Sequence, residues 1–148
     1  MDHILEIIFK VLLSIVLSSI IGIEREIRNK SADLRTYMLV SVGSTLVVLT
    51  SLYIFRSHQN VTIVDPTRMI TGLVTGIGFL CAGTIIRAGD NVLGITTAAT
   101  LWIVSCIGIA VGAGDYVSAV IVTITVFVVL ILVRPIERAL AEKFKDVP

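Results

Sequence analysis

From Thr36 to Phe55 the chain runs without a single charged residue, and further apolar blocks of similar length lie on either side of it. The blocks cover roughly residues 4–23, 36–55, 69–86, 96–111 and 116–133, with the charges swept into the gaps between them. A soluble fold interleaves polar and apolar residues at a period of about two or 3.6. Blocks of this length instead predict helices that cross a bilayer, whose hydrocarbon thickness matches about 20 apolar residues. The hydrophobic share is 55% of 148 residues. That exceeds the roughly 45–50% of ordinary soluble domains, but the arrangement carries the argument. The expected fold is all-α: an integral membrane bundle of about five helices. It forms one transmembrane domain over 1–148, with 134–148 as a short cytoplasmic tail.

The opening Met1-Asp2-His3 lacks the basic stretch of a signal peptide, and no small-residue cleavage site follows. The first block is therefore expected to stay as a helix. Basic residues favour cytoplasmic loops and so set the orientation. With five spans, Arg25, Arg28, Lys30, Arg35, Arg87, Arg134, Arg138, Lys143 and Lys145 share one side, against Lys10, Arg56 and Arg68 on the other. This bias predicts the N-terminus outside and the C-terminus inside. The net charge of +1 gives no sign of a nucleic-acid partner; the expected surroundings are the lipid bilayer.

Small residues let helix backbones approach closely in lipid. Segment one carries Ser14, Ser18 and Gly22 at four-residue spacing. Segment three carries Gly72, Gly76 and Gly83, and segment four has Ser105, Gly108 and Gly112 along one side. Segment five has almost none and is placed at the lipid-facing edge. The expected tight group is helices one, three and four, completed by helix two through Ser41 and Ser44. The same stripes would serve a homodimer, but packing within one subunit is the preferred reading. Glu6 and Lys10, spaced i, i+4, are expected to pair, or Lys10 to snorkel to the interface. Cys81 and Cys106 sit at depths that differ by roughly 6 Å, so they are read as small packing residues.

Gly76-Ile77-Gly78-Phe79-Leu80-Cys81 begins like a dinucleotide fingerprint, but it lacks the third glycine and a preceding strand. His3 and His58 lie outside the spans, with no HExxH or GxSxG arrangement near them. No enzyme activity and no cofactor are expected. The ionisable residues at helix ends hold more interest. Glu24 is placed where Arg25 and Arg35 neutralise it. Asp65-Pro66 reads as a helix start, with Asp at the N-cap and Pro at N1. Asp90-Asn91 reads as turn chemistry. Thr96, Thr97 and Thr100 either cap helix four or line a polar cleft, and Trp102 is an interior aromatic beside an interfacial Tyr116. A magnesium path would need several oxygen ligands, and no spacing gathers Glu24, Asp65 and Asp90.

Taken in order, several motifs resemble those of the MgtC/SapB family of bacterial inner-membrane proteins. They are Gly22-Ile23-Glu24-Arg25-Glu26, Leu34-Arg35-Thr36 and Asp65-Pro66-Thr67-Arg68. The series continues through Gly76-Ile77-Gly78-Phe79-Leu80, Ala82-Gly83, Ile85-Ile86-Arg87 and the run from Gly94 to Trp102. The resemblance covers about residues 20 to 114. It implies a role in magnesium homeostasis and, in pathogens, in survival inside host cells. It further implies action on other membrane machinery, including the F-type ATP synthase and magnesium transporters. Carried over, it points to Glu24, Arg25, Arg35, Asp65, Arg68, Arg87, Thr96, Thr97 and Trp102 as functional positions. The chain departs from the pattern at Asp33 and Cys81, where glycine is usual, and at Leu93, where arginine is common. Thr96 and Ile103 stand where the virulence branch carries Asn and Cys, so that branch's role is not carried over. Many members end in a cytosolic ACT-type domain, which is expected to be missing from a chain that stops at Pro148. The leading expectation is regulation of other membrane proteins through helix contacts; the alternative is direct transport of magnesium or another cation.

Overall fold

The structure is a computed structural model that describes residues 2–58 and 65–143, and the side chains of 3–58 and 65–136. Five helices are present: α1 (Asp2–Ile27), α2 (Leu34–His58), α3 (Thr67–Gly83), α4 (Ile95–Ala113) and α5 (Tyr116–Lys143). A short antiparallel hairpin, β1 (Ile86–Ala88) and β2 (Asn91–Leu93), joins α3 to α4. Helices α1, α2, α4 and α5 are long and apolar enough to cross a membrane, whereas α3 is apolar but only 17 residues long. Leu12, Val16, Leu39, Val117, Ile121 and Leu132 all stand exposed on the outer surface. Water would not tolerate so continuous an apolar surface; lipid requires one. The protein is an all-α, multi-pass membrane bundle.

Side-chain contacts fix how the helices run. Lys10, early in α1, reaches Gly112 late in α4, while Arg25 at the other end of α1 reaches Thr97 at the start of α4. These two helices are antiparallel. Tyr37 meets Thr100, Ser44 meets Ser105 and Thr45 meets Gly108, so α2 runs parallel to α4. Ser51 Oγ donates to the Pro66 carbonyl at 2.6 Å, which sets the start of α3 beside the far end of α2. The hairpin then delivers the chain to the start of α4. Arg25, Arg28, Lys30, Arg35, Arg87 and Arg134 therefore share one end of the bundle, called here the arginine-rich end.

Three helices begin beneath an aspartate. Asp33 Oδ1 accepts from the Thr36 N–H at 2.9 Å and its hydroxyl at 2.5 Å. Asp65 Oδ1 accepts likewise from Thr67, at 2.9 and 2.6 Å, and Asp115 Oδ1 accepts from the Ser118 N–H at 3.1 Å. Hydrogen bonds to the ionised form hold all three carboxyls below the ordinary aspartate range. Pro66, rather than Asp65, occupies the N-cap of α3, so the start lies one residue later than the sequence suggests.

The closest helix approach is between α2 and α4. A Cβ on Gly108 would run into the Ser41 carbonyl, and one on Gly112 would meet Val48 at 2.8 Å. Ser44 and Ser105 hydroxyls lie 2.8 Å apart, and Thr45 Oγ1 donates to the Gly108 carbonyl at 2.9 Å. On α1, Ser14 and Ser18 are fully buried, and Gly22 packs against Leu34 and Tyr37. The expected grouping of helices one, three and four is corrected, because α2 holds the place given to helix three. Gly72, Gly76, Gly78 and Gly83 meet nothing within 4 Å, and Cys81 is the buried residue of α3. The reason is chemical: Ser44 and Thr45 bring hydroxyls that bond across to α4, whereas the glycines of α3 bring none.

The helices run beyond the apolar blocks at most of their ends, α1 reaching Ile27 rather than Ile23, and two boundaries differ in kind. The third helix ends at Gly83 rather than Ile86, the Thr84 N–H closing onto the Cys81 carbonyl and the Ile85 N–H onto the Ala82 carbonyl. The fifth continues through Pro135 to Lys143 instead of closing at Arg134-Pro135. Proline there forfeits one backbone bond, but its fixed φ fits a helix. On α5 only Ala119 and Thr123 are buried among the described side chains, so it lies at the edge. Gln59, Asn60 and Lys145, and the side chains of Arg138 and Lys143, lie outside the described residues.

Candidate site at the arginine-rich end

The last turn of α1 carries Glu24 and Arg25, which the sequence places at a membrane face. The structure buries both, at 7% and 4% exposure. Burying a charge is costly unless it is paired and hydrogen-bonded. Glu24 pairs with Arg28 one turn on, and Arg25 Nη2 donates to Thr97 Oγ1 at 2.8 Å. One turn deeper, the Tyr37 and Thr100 hydroxyls lie 2.6 Å apart. Thr100 in turn bonds back to the Thr96 carbonyl at 2.9 Å. The satisfaction is incomplete: Glu24 Oε2 and Arg25 Nε have no partner among the described residues.

Glu24, Arg25 and Thr97 line a cavity of about 490 Å³, with Arg28, Lys30 and Arg134 around it and the start of α4 as one wall. Gly94 makes that wall possible. It is the N-cap of α4 at φ 90°, left-handed backbone, and a Cβ there would run into the Thr84 carbonyl. Glycine brings no side-chain oxygen, and no side chain caps α4. The N–H groups of its first turn have no intrahelical acceptor, and Ile95, Thr96 and Thr97 face the cavity. Four cationic side chains thus surround one carboxylate beside a positive helix end. Such a field attracts an anion and repels a bare divalent cation. No cluster of three or more His, Cys, Asp or Glu fit to hold a metal occurs among the described residues.

The positions singled out by the sequence divide between the two ends. Glu24, Arg25, Thr96 and Thr97 come together at the cavity. Arg35 is exposed at the same end, and Arg87, on β1, donates to the Gly89 carbonyl at 3.3 Å. Asp65 and Arg68 lie at the opposite end, exposed at the start of α3. Trp102, expected to be interior, is 43% exposed on α4. Sequence reasoning missed Tyr37, Arg28, Lys30 and Arg134 as parts of one site. The spacing of Arg28 from Glu24 is the signal that was there to find. Of the two readings of Lys10, the pair with Glu6 is present at 2.7 Å, but Lys10 is buried instead of snorkelling to the interface and donates to the Gly112 carbonyl at 3.1 Å. Both cysteines are free thiols.

The chain is similar to several bacterial proteins. The YhiD protein of Escherichia coli K12, whose name proposes a magnesium transporter, is 39% identical over 75% of this chain and 53% of its own length. Protein MgtC of Brucella abortus strain 2308 is 42% identical over 84% of this chain and 50% of its own. An uncharacterized protein of Haemophilus influenzae is 36% identical over 93% and 59%. The chain thus spans about half the length of the curated relatives it matches. No solved structure gives a significant match. The model of the MgtC family matches residues 11–139, and with relatives at this level of identity the chain belongs to the MgtC family.

Proposed function

We propose that this chain is a magnesium-linked protein of the bacterial inner membrane that regulates other membrane proteins through lateral helix contacts, without catalysing a reaction. One observation carries the reading. The glycine face of α3 is open: Gly72, Gly76 and Gly83 meet nothing within 4 Å, and Phe79 beside them is 87% exposed. Elsewhere in the bundle such residues, Gly108 and Gly112, are filled by a neighbouring helix. A face built for close backbone approach and left unfilled suits a helix of another protein. The magnesium link is supported by the name of YhiD. The orientation that suits this role has the arginine-rich end in the cytoplasm and the N-terminus outside, as the distribution of basic residues favours.

The decisive experiment is crosslinking in intact cells with wild type and Gly76→Leu. The variant is expected to lose the crosslinked membrane partner while the purified chain keeps its thermal stability; crosslinks unchanged in yield would sink the reading. In a cysteine-free background, a cysteine at Ser31 should resist an impermeant maleimide added outside, and ready labelling would reverse the orientation. Transport has one observation in its favour, the unpartnered Glu24 Oε2 at the cavity. Magnesium flux into proteoliposomes above empty vesicles, lost in Glu24→Gln, would replace regulation with conduction.

A further inference from the structure

Arg25 is 4% exposed, yet its Nε has no acceptor among the described residues. A buried N–H left without an acceptor bears its full desolvation cost. Thr97 takes Nη2 of the same guanidinium, so the unsatisfied donor sits against the start of α4 in the cavity wall. The start of α4 is short of an acceptor for its own reason. Asp33, Asp65 and Asp115 serve the first turns of α2, α3 and α5, whereas Gly94 offers α4 nothing. Two separate features, one on α1 and one on α4, therefore lack an anion at the same place. Arg28, Lys30 and Arg134 add cations from the end of α1, the following loop and α5. Glu24 opposes them: Arg28 engages its Oε1, while Oε2 has no partner among the described residues, so four cations face one carboxylate.

We infer that this cavity binds a phosphate-bearing anion, whose oxygens satisfy Arg25 Nε and the first N–H groups of α4. Guanidinium groups and helix N-termini are both suited to phosphate oxygens. The walls favour a phospholipid headgroup as the source. Val129 and Val133, one turn apart on α5, line the cavity and are 50% and 41% exposed, so an acyl chain meets apolar surface beside the cations. This site acts independently of the α3 face and stands whether or not that face meets a partner.

Native mass spectrometry of the detergent-purified full chain tests the inference, with dioleoylphosphatidylglycerol and dioleoylphosphatidylcholine as probes. Retention of the anionic lipid should exceed that of the zwitterionic one roughly tenfold: both carry the phosphate, but the choline cation of the second is repelled by Arg28, Lys30 and Arg134. The double variant Arg28→Gln/Arg134→Gln, changed at half-buried rim positions, should lose that preference, while Arg56→Gln at the opposite end should keep it. Titration calorimetry with inorganic phosphate separates the sources. Phosphate that binds the lipid-free protein and displaces phosphatidylglycerol would make the anion a soluble one, still in this site. Equal retention of both lipids by wild type with no phosphate binding would overturn the inference without recourse to any variant. So would a folded double variant that retains the anionic lipid like wild type.

Discussion

The ammonium of Lys10 in α1 donates to the backbone carbonyl of Gly112 in the last turn of α4, 3.1 Å away and 102 residues later in the chain. A cation at a helix C-terminus satisfies a carbonyl that has no intrahelical donor. Lys10 thereby ties one end of α1 to α4 as Arg25 ties the other. Lys10→Ala should destabilise the purified protein by roughly 1–3 kcal/mol, because a buried acceptor loses its donor. Lys10→Met keeps the apolar stem and should cost less. Thermal unfolding in detergent ranks the three proteins, and equal midpoints would remove the tie from the account.

The glycines of α4 and α3 should respond in opposite ways to the same small change. Gly108→Ala drives a methyl into the Ser41 carbonyl, and overpacking of this kind costs about 1–3 kcal/mol. Gly72→Ala adds a methyl where nothing lies within 4 Å. Its stability should match wild type or rise slightly, since alanine is the better helix former. Reversal of that order in thermal unfolding would mean that α3, not α4, holds the close seam.

Acid should loosen the starts of α2 and α5. The Asp33 and Asp115 carboxyls are held below their ordinary value of 3.8 by hydrogen bonds from Thr36 and Ser118. Their contribution to stability is therefore complete above that value and lost as pH falls through the lowered folded one. The thermal midpoint should fall on acidification in that range, and Asp33→Asn with Asp115→Asn should flatten the fall. An identical pH profile in the double variant would assign acid sensitivity to other carboxylates.

Much of the bundle was legible because lipid imposes simple rules. Unbroken apolar runs mark spans, and Asp65 stands just before the start of α3, whereas the same part played by Asp33 and Asp115 was not read. The side of α4 bearing Ser105, Gly108 and Gly112 was readable as a packing face, and it is the one α2 fills. The role of α3 was not readable, since a glycine stripe looks the same whether it faces a sister helix or the outside. Burial of Glu24 and Arg25 was hidden too: in sequence they belong to a charged loop, and only the approach of Thr97 draws them inward. The hairpin left a trace that was passed over. Gly89-Asp90 is a two-residue hairpin signal, and Gly89 takes φ 62° there.

The seam between α2 and α4 joins helices that are not neighbours in the chain, which bears on how the protein is made. As synthesis proceeds, α2 enters the bilayer before α3, the hairpin and α4 exist. During that interval Ser44 and Thr45 have no α4 to bond. Each also donates within its own helix, Ser44 to the Val40 carbonyl at 2.8 Å and Thr45 to the Ser41 carbonyl at 3.0 Å. Those local bonds need no other helix, so the hydroxyls can wait in hydrocarbon without an exposed donor. When α4 is inserted, the same two side chains share their oxygens and protons with Ser105 and Gly108. The nascent helix thus enters the membrane already equipped for a partner that the ribosome has yet to build.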